Sequence, residues 1–181
     1  MGGRPGRRNT NSPPAAIAVV GRNFMTLLLD QINKRKIIYL DIRDDISEFI
    51  KMDLINWVVF VIEDNINNEL LRLFAETCIE KNVLYMHATG KACSEVDDLF
   101  DFIIVEREVN GGKLPLWMIA EDDVLMTAWD YDFDDAFWFI TNTAYYGEHL
   151  IDTVIVANMT NDNYLPRIQD LAKKINSGRS F

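Results

Sequence analysis

The sequence predicts an α/β fold: a single-domain, doubly wound, mostly parallel sheet of five or six strands, flavodoxin- or Rossmann-like, with helices on both faces. Three observations lead there. From Met25 onward the apolar pattern alternates between short β-rich runs and stretches of helical period. The run Trp57–Ile62, WVVFVI, is apolar at consecutive positions, as a strand covered on both faces must be. Finally, Val124–Tyr146 reads as a strand (Val124–Trp129), a turn at Asp130–Asp132 and an aromatic helix (Phe133–Tyr146), and TVIVAN at 153–158 supplies the next strand of a βαβ unit.

The elements follow in order. Residues 1–24, rich in Gly, Pro, Arg and Asn, read as a disordered basic tail or an upstream start, with the domain expected over 25–181. Pro13 and Pro14 open the short apolar patch Ala15–Val20, and no convincing cleavage site follows it, which argues against a signal peptide. A short helix is expected at 25–33, a strand at Ile37–Ile42, and the central strand at Trp57–Ile62. A helix over about 66–80 carries Ile66, Leu70, Leu73, Phe74, Thr77 and Cys78 on one stripe. Val83–His87 is the next strand, then Thr89-Gly90 breaks into a helix of about 92–99. Phe102–Val105 is expected to be a strand and 107–122 a turn-rich insert, with Leu114, Trp117 and Met118 covering the aromatic helix. Asp132 fits an N-cap for that helix and Gly147 a C-cap. The last helix, about 164–176, places Leu165, Ile168, Leu171, Ala172 and Ile175 on one face.

Composition narrows the partners. The chain has 181 residues, is 49% hydrophobic and 25% charged, and holds no apolar run of membrane-spanning length, so a soluble cytoplasmic protein is expected. Residues 1–29 contain Arg4, Arg7, Arg8 and Arg22 and no acid, leaving 14 basic and 28 acidic side chains in the remainder. Such a surface repels nucleic acid and suits a basic partner or plain solubility. Cys78 and Cys93 lack metal-ligand spacing and read as two reduced thiols.

Three segments together resemble a family of small bacterial α/β proteins of unknown function: Gly90-Lys91-Ala92-Cys93-Ser94 with Asp97-Asp98, Val124-Leu125-Met126-Thr127-Ala128-Trp129, and Phe137-Trp138-Phe139 leading to Thr153-Val154-Ile155-Val156. The similarity covers about 55–158. Members of that family carry a tryptophan before the glycine and a histidine after the strand-five tryptophan, where this chain has Thr89 and Asp130. The resemblance implies the fold and one shared domain, and no activity.

Ligands in parallel α/β sheets bind beyond the carboxyl ends of the strands. Those ends offer Asp44 and Asp45, Asp64, His87 and Asp130, an acidic rim with hard oxygen donors suited to Mg²⁺. The same aspartates suit caps and turns equally well. No P-loop or GxGxxG is present, and a His87–Cys93 pair is the only thiol–imidazole spacing of note. With no complete catalytic constellation and no implied cofactor, the expected function is a non-enzymatic acidic protein-binding domain, immunity- or antitoxin-like or self-associating. Trp117, Trp138, Tyr145 and Tyr146 are its candidate partner surface. The alternative is a metal- or phosphate-ligand enzyme or sensor built on the strand-end carboxylates.

Overall fold

A computed structural model describes residues 26–29, 31–67, 69–118, 120, 123–145, 147 and 149–178. The basic tail expected over 1–24 lies outside them. In chain order the elements are β1 (Thr26–Leu28), β2 (Lys36–Asp41), α1 (Ser47–Lys51), β3 (Trp57–Ile62), α2 (Glu69–Glu80), β4 (Tyr85–Thr89), α3 (Cys93–Asn110), β5 (Met126–Trp129), α4 (Phe133–Asn142), β6 (Thr153–Asn158) and α5 (Leu165–Asn176). The sheet runs β1-β2-β6-β3-β4-β5. Five strands are parallel and β1 is an antiparallel edge.

The two strands made of consecutive apolar residues, β3 and β6, lie side by side at the centre and are buried throughout. Their side chains feed two cores. On one face Trp57, Val59 and Val61 pack with Phe49 of α1, Phe74 of α2 and Phe100 of α3. On the other, Val58, Phe60 and Val154 pack with Phe133, Phe137 and Ile140 of α4 and with Ile168 and Leu171 of α5. This division follows from the right-handed crossover rule. The steps from β2 through β3 and β4 to β5 advance in one direction and put α1, α2 and α3 on one face, whereas the return from β5 to β6 puts α4 on the other.

Four local expectations are corrected. The described residues of the stretch 25–33 do not form the expected helix: β1 folds back on β2 through a two-residue turn in which Asn33 and Lys34 both have positive φ, 49° and 67°. Ile32 and Arg35 exchange both backbone hydrogen bonds across it, a type I′-like hairpin without glycine. Phe102–Val105 is no strand but the middle of α3, because Val96, Phe100, Ile103 and Ile104 supply a buried stripe at helical spacing and Gly111 in the left-handed region ends it. Helix α4 stops at Asn142, so Gly147 does not cap it; around its end the side chains of Thr141, Asn142 and Thr143 donate back to the Phe137, Trp138 and Phe139 carbonyls. The insert covers α1–α3's core more than the aromatic helix: Leu114 and Met118 pack there, and Trp117 touches both cores. Asp132 does cap α4, accepting the Asp134 and Asp135 N–H groups.

Arg35 ties the hairpin to the end of α4. Its guanidinium donates to the Ile140 and Ala144 carbonyls, each at 2.7 Å, satisfying acceptors the helix leaves open. Replacing Arg35 with Ala removes both charged hydrogen bonds and leaves the carbonyls partly buried. The expected loss is about 2 kcal/mol, read in thermal unfolding as a midpoint lower by roughly 4–8 °C; an unchanged midpoint would refute this role.

Candidate functional site

The winding creates two places where neighbouring strands send their chains to opposite faces. One surrounds β6, whose exit leads to α5 while β2 and β3 lead to α1 and α2. The other lies between β4, which leads to α3, and β5, which leads to α4.

At the first, a crevice of about 370 Å³ is lined by Arg43, Asp44, Glu63, Asp64 and Asp162 among others. Its walls are built by internal polar bonds. Glu63 is 2% exposed, and its carboxylate accepts the Asp64 and Asn65 N–H groups at 2.8 and 3.0 Å. Asp64 accepts the Lys91 N–H at 2.9 Å. Buried Asn158 donates to the Tyr39 hydroxyl and the Asp162 carbonyl and accepts from Thr160, holding the β6 loop. Arg43 grips Asp41 with two 2.6 Å bonds, which raises its pKa further. Gly90, at φ +104°, packs against this wall; a Cβ there would collide with the Glu63 carbonyl oxygen.

The five strand-end candidates therefore separate. Asp44 and Asp64 share the crevice. Asp45 accepts the Ser47 N–H and hydroxyl at 2.7 Å each, closing the turn into α1, and these bonds lower its pKa. Asp130 stands at the second switch point, where it accepts the Asp132 N–H at 2.8 Å. Among the described residues no group of three or more His, Cys, Asp or Glu is placed to hold a metal ion.

His87 is 5% exposed, and both of its ring nitrogens are buried without a hydrogen-bond partner. Its ring lies 5.3 Å from Phe139, 6.2 Å from Phe60 and 6.5 Å from Tyr85. That apolar cage penalises the imidazolium and pushes the pKa down to about 4, against the opposing pull of Asp130. Cys93 packs in the core on the opposite face of the sheet, and burial raises its pKa, so the thiol–imidazole pair does not form.

At the second switch point β5 presents an open side. It pairs with β4 alone among the described strands. Around it Val124, Met126, Trp129 and Tyr131 are 54%, 45%, 44% and 65% exposed, and the Trp129 and Tyr131 rings meet edge-on at 5.2 Å. Phe102, Val105 and Val109, spaced i, i+3, i+7, form an exposed apolar stripe on neighbouring α3, with the Arg72 guanidinium 6.0 Å from the Phe102 ring centre at its α2 side. Carboxylates border this surface. The Thr127 hydroxyl donates to Asp101 at 3.1 Å, and burial together with Asp101 and Asp98 raises the pKa of adjacent Asp97. Residues 114–166 hold ten Asp and Glu and no Lys or Arg. Sequence reasoning missed this edge, because the place of β5 in the sheet is set by pairing between distant segments; only the exposed stripe on α3 had a local signal, in the 102–105–109 spacing.

Of the aromatic candidates, Trp117 is a joint of the fold: its indole N–H donates to the Val83 carbonyl at 3.1 Å between the two cores. Trp138 and Tyr145 are exposed, and Tyr146 lies outside the described residues. Tyr145 borders a crevice of about 430 Å³ at the other end of the sheet.

The His87 cage makes stability depend on pH. The folded-state pKa of about 4 lies below the ordinary 6.5, so the unfolded chain binds the proton more readily. Stability is full above pH ~6.5 and falls as pH drops towards ~4, by up to about 3 kcal/mol. Chemical unfolding of His87→Phe at pH 7 and 4.5 is expected to show about 2 kcal/mol less acid loss than the parent chain. Parallel pH profiles would disprove the buried neutral imidazole.

Comparison with known proteins adds identity without activity. No curated protein matches the chain. A family described as "Domain of unknown function (DUF7684)" matches residues 36–175, from the first parallel strand into the last turn of the last helix, and covers the similarity seen at 55–158. The chain belongs to that family.

Proposed function

We propose that this protein is a non-enzymatic, acidic protein-binding domain that engages its partner through the β5 edge, in an immunity- or antitoxin-like role. The observation that carries the reading is the open strand itself: four large apolar side chains, Val124, Met126, Trp129 and Tyr131, stand exposed along a sheet edge that no described strand pairs. Exposed apolar edges invite pairing with another chain and are ordinarily blunted with lysine, of which this edge has none. Exposed Trp and Tyr are the side chains on which binding energy concentrates. The carboxylate border favours a basic partner over a second copy, because two such edges would bring like charges together.

The reading extends to a bacterial cytoplasm. Two buried, unpaired thiols support a reducing compartment, and no described helix is long and apolar enough to cross a membrane. The crevice containing Asp44 and Asp64 supports a second reading, a sensor or enzyme for a metal or phosphate ligand, with Mg²⁺ as the natural cation for such oxygens. A thermal-midpoint shift with Mg²⁺ or a sugar phosphate that Asp44→Ala abolishes would favour it.

Affinity capture from the source cell separates the two. The parent chain is expected to retain one specific protein, Trp129→Ala with Met126→Ala to lose it, and Tyr145→Ala at the far end of the sheet to keep it. Equal capture by the parent and the edge variant would remove the β5 edge as the binding face.

A further inference from the structure

We propose that the partner contributes a basic, extended segment that pairs with β5 as a seventh strand of the sheet; this rests on the protein-binding reading above. The backbone geometry defines where such a strand would bond. Asp130 donates its N–H to the Ala88 carbonyl at 3.1 Å. Successive residues of a strand turn their N–H and C=O groups to opposite sides, so Ala128 and Asp130 bond inward to β4 while Thr127 and Trp129 direct theirs outward. The edge thus offers two donor and acceptor sets in strand register, two residues apart.

The side chains define the composition of the added strand. On the α3 side its residues meet Thr127, Asp101 and exposed Val105, a mixture that receives lysine or arginine with an aliphatic stem. On the α4 side they meet Met126 and Ala128, which take an apolar residue. At the strand end the Trp129 and Tyr131 rings meet edge-on and stand exposed, an arrangement that accommodates a guanidinium against an aromatic face. Alternating basic and apolar residues satisfy both sides. An antiparallel second copy does not, because it would lay the acidic run 114–166, which holds no Lys or Arg, along its own counterpart.

The test uses the full chain and three labelled peptides of about ten residues: one alternating arginine with valine, the same peptide with alternate backbone amides N-methylated, and one with glutamate for arginine. The first is expected to bind, to weaken at least tenfold between ~50 and ~500 mM salt, and to slow hydrogen exchange at the Thr127 and Trp129 amides but not at Ala128. N-methylation, glutamate, or Asp97→Asn with Asp101→Asn in the protein each reduces binding at least tenfold, while Asp44→Asn leaves it unchanged. Equal binding of the methylated peptide, or no protection at Thr127 and Trp129, overturns strand addition. So does light scattering showing that the chain without peptide self-assembles through this edge, which would make the occupant a second copy. If the peptides fail while Trp129→Ala still abolishes capture, strand addition falls and the binding face stands; if capture survives that substitution, the binding face itself falls.

Discussion

The structure depends on β6 entering the sheet between β2 and β3. Once that strand sits there, β3 and β6 form a central pair buried on both faces, which is why both are apolar at every position or nearly so. The insertion also forces the chain to return across the sheet after β5, placing α4 and α5 opposite α1, α2 and α3. Two switch points result, and every strand-end side chain considered as a site residue takes its surroundings from them.

These switch points differ in character. Around β6 the polar groups are consumed in building loops: Glu63 and Asn158 are buried and bonded to the backbone of their own turns, and Asp64 holds the loop that begins at Gly90. At β5 the polar groups surround apolar side chains that nothing in the described chain covers. A short edge strand is a weak template for indiscriminate pairing, and a border of carboxylates makes it selective by charge. Selectivity of that kind discriminates partners by repulsion as much as by attraction.

The legible parts of the sequence were those fixed by local pattern. WVVFVI and TVIVAN announce doubly covered strands, and Asp132 followed by Asp134 and Asp135 announces a helix start, because composition alone decides these. The hairpin of β1 was not legible, since Asn33 and Lys34 adopt left-handed backbone without the glycine that signals such turns. FDFIIV misled because a short apolar run fits a buried strand or a helix with two apolar faces, and only tertiary packing chooses. The separation of His87 from Cys93 was equally hidden: six residues apart in sequence, they point into opposite cores. Which strand lies at the edge is a property of pairing between distant segments, and so the open side of β5 could be found only in three dimensions.

The most direct measurement of this account is backbone hydrogen exchange on the unbound chain at low salt. An open β5 edge predicts that the Thr127 and Trp129 amides exchange through local exposure, orders of magnitude faster than the Val59 and Val156 amides of the central pair, whose exchange follows global unfolding. Protection of Thr127 and Trp129 comparable to that of the central strands would mean the edge is already covered, and would contradict it.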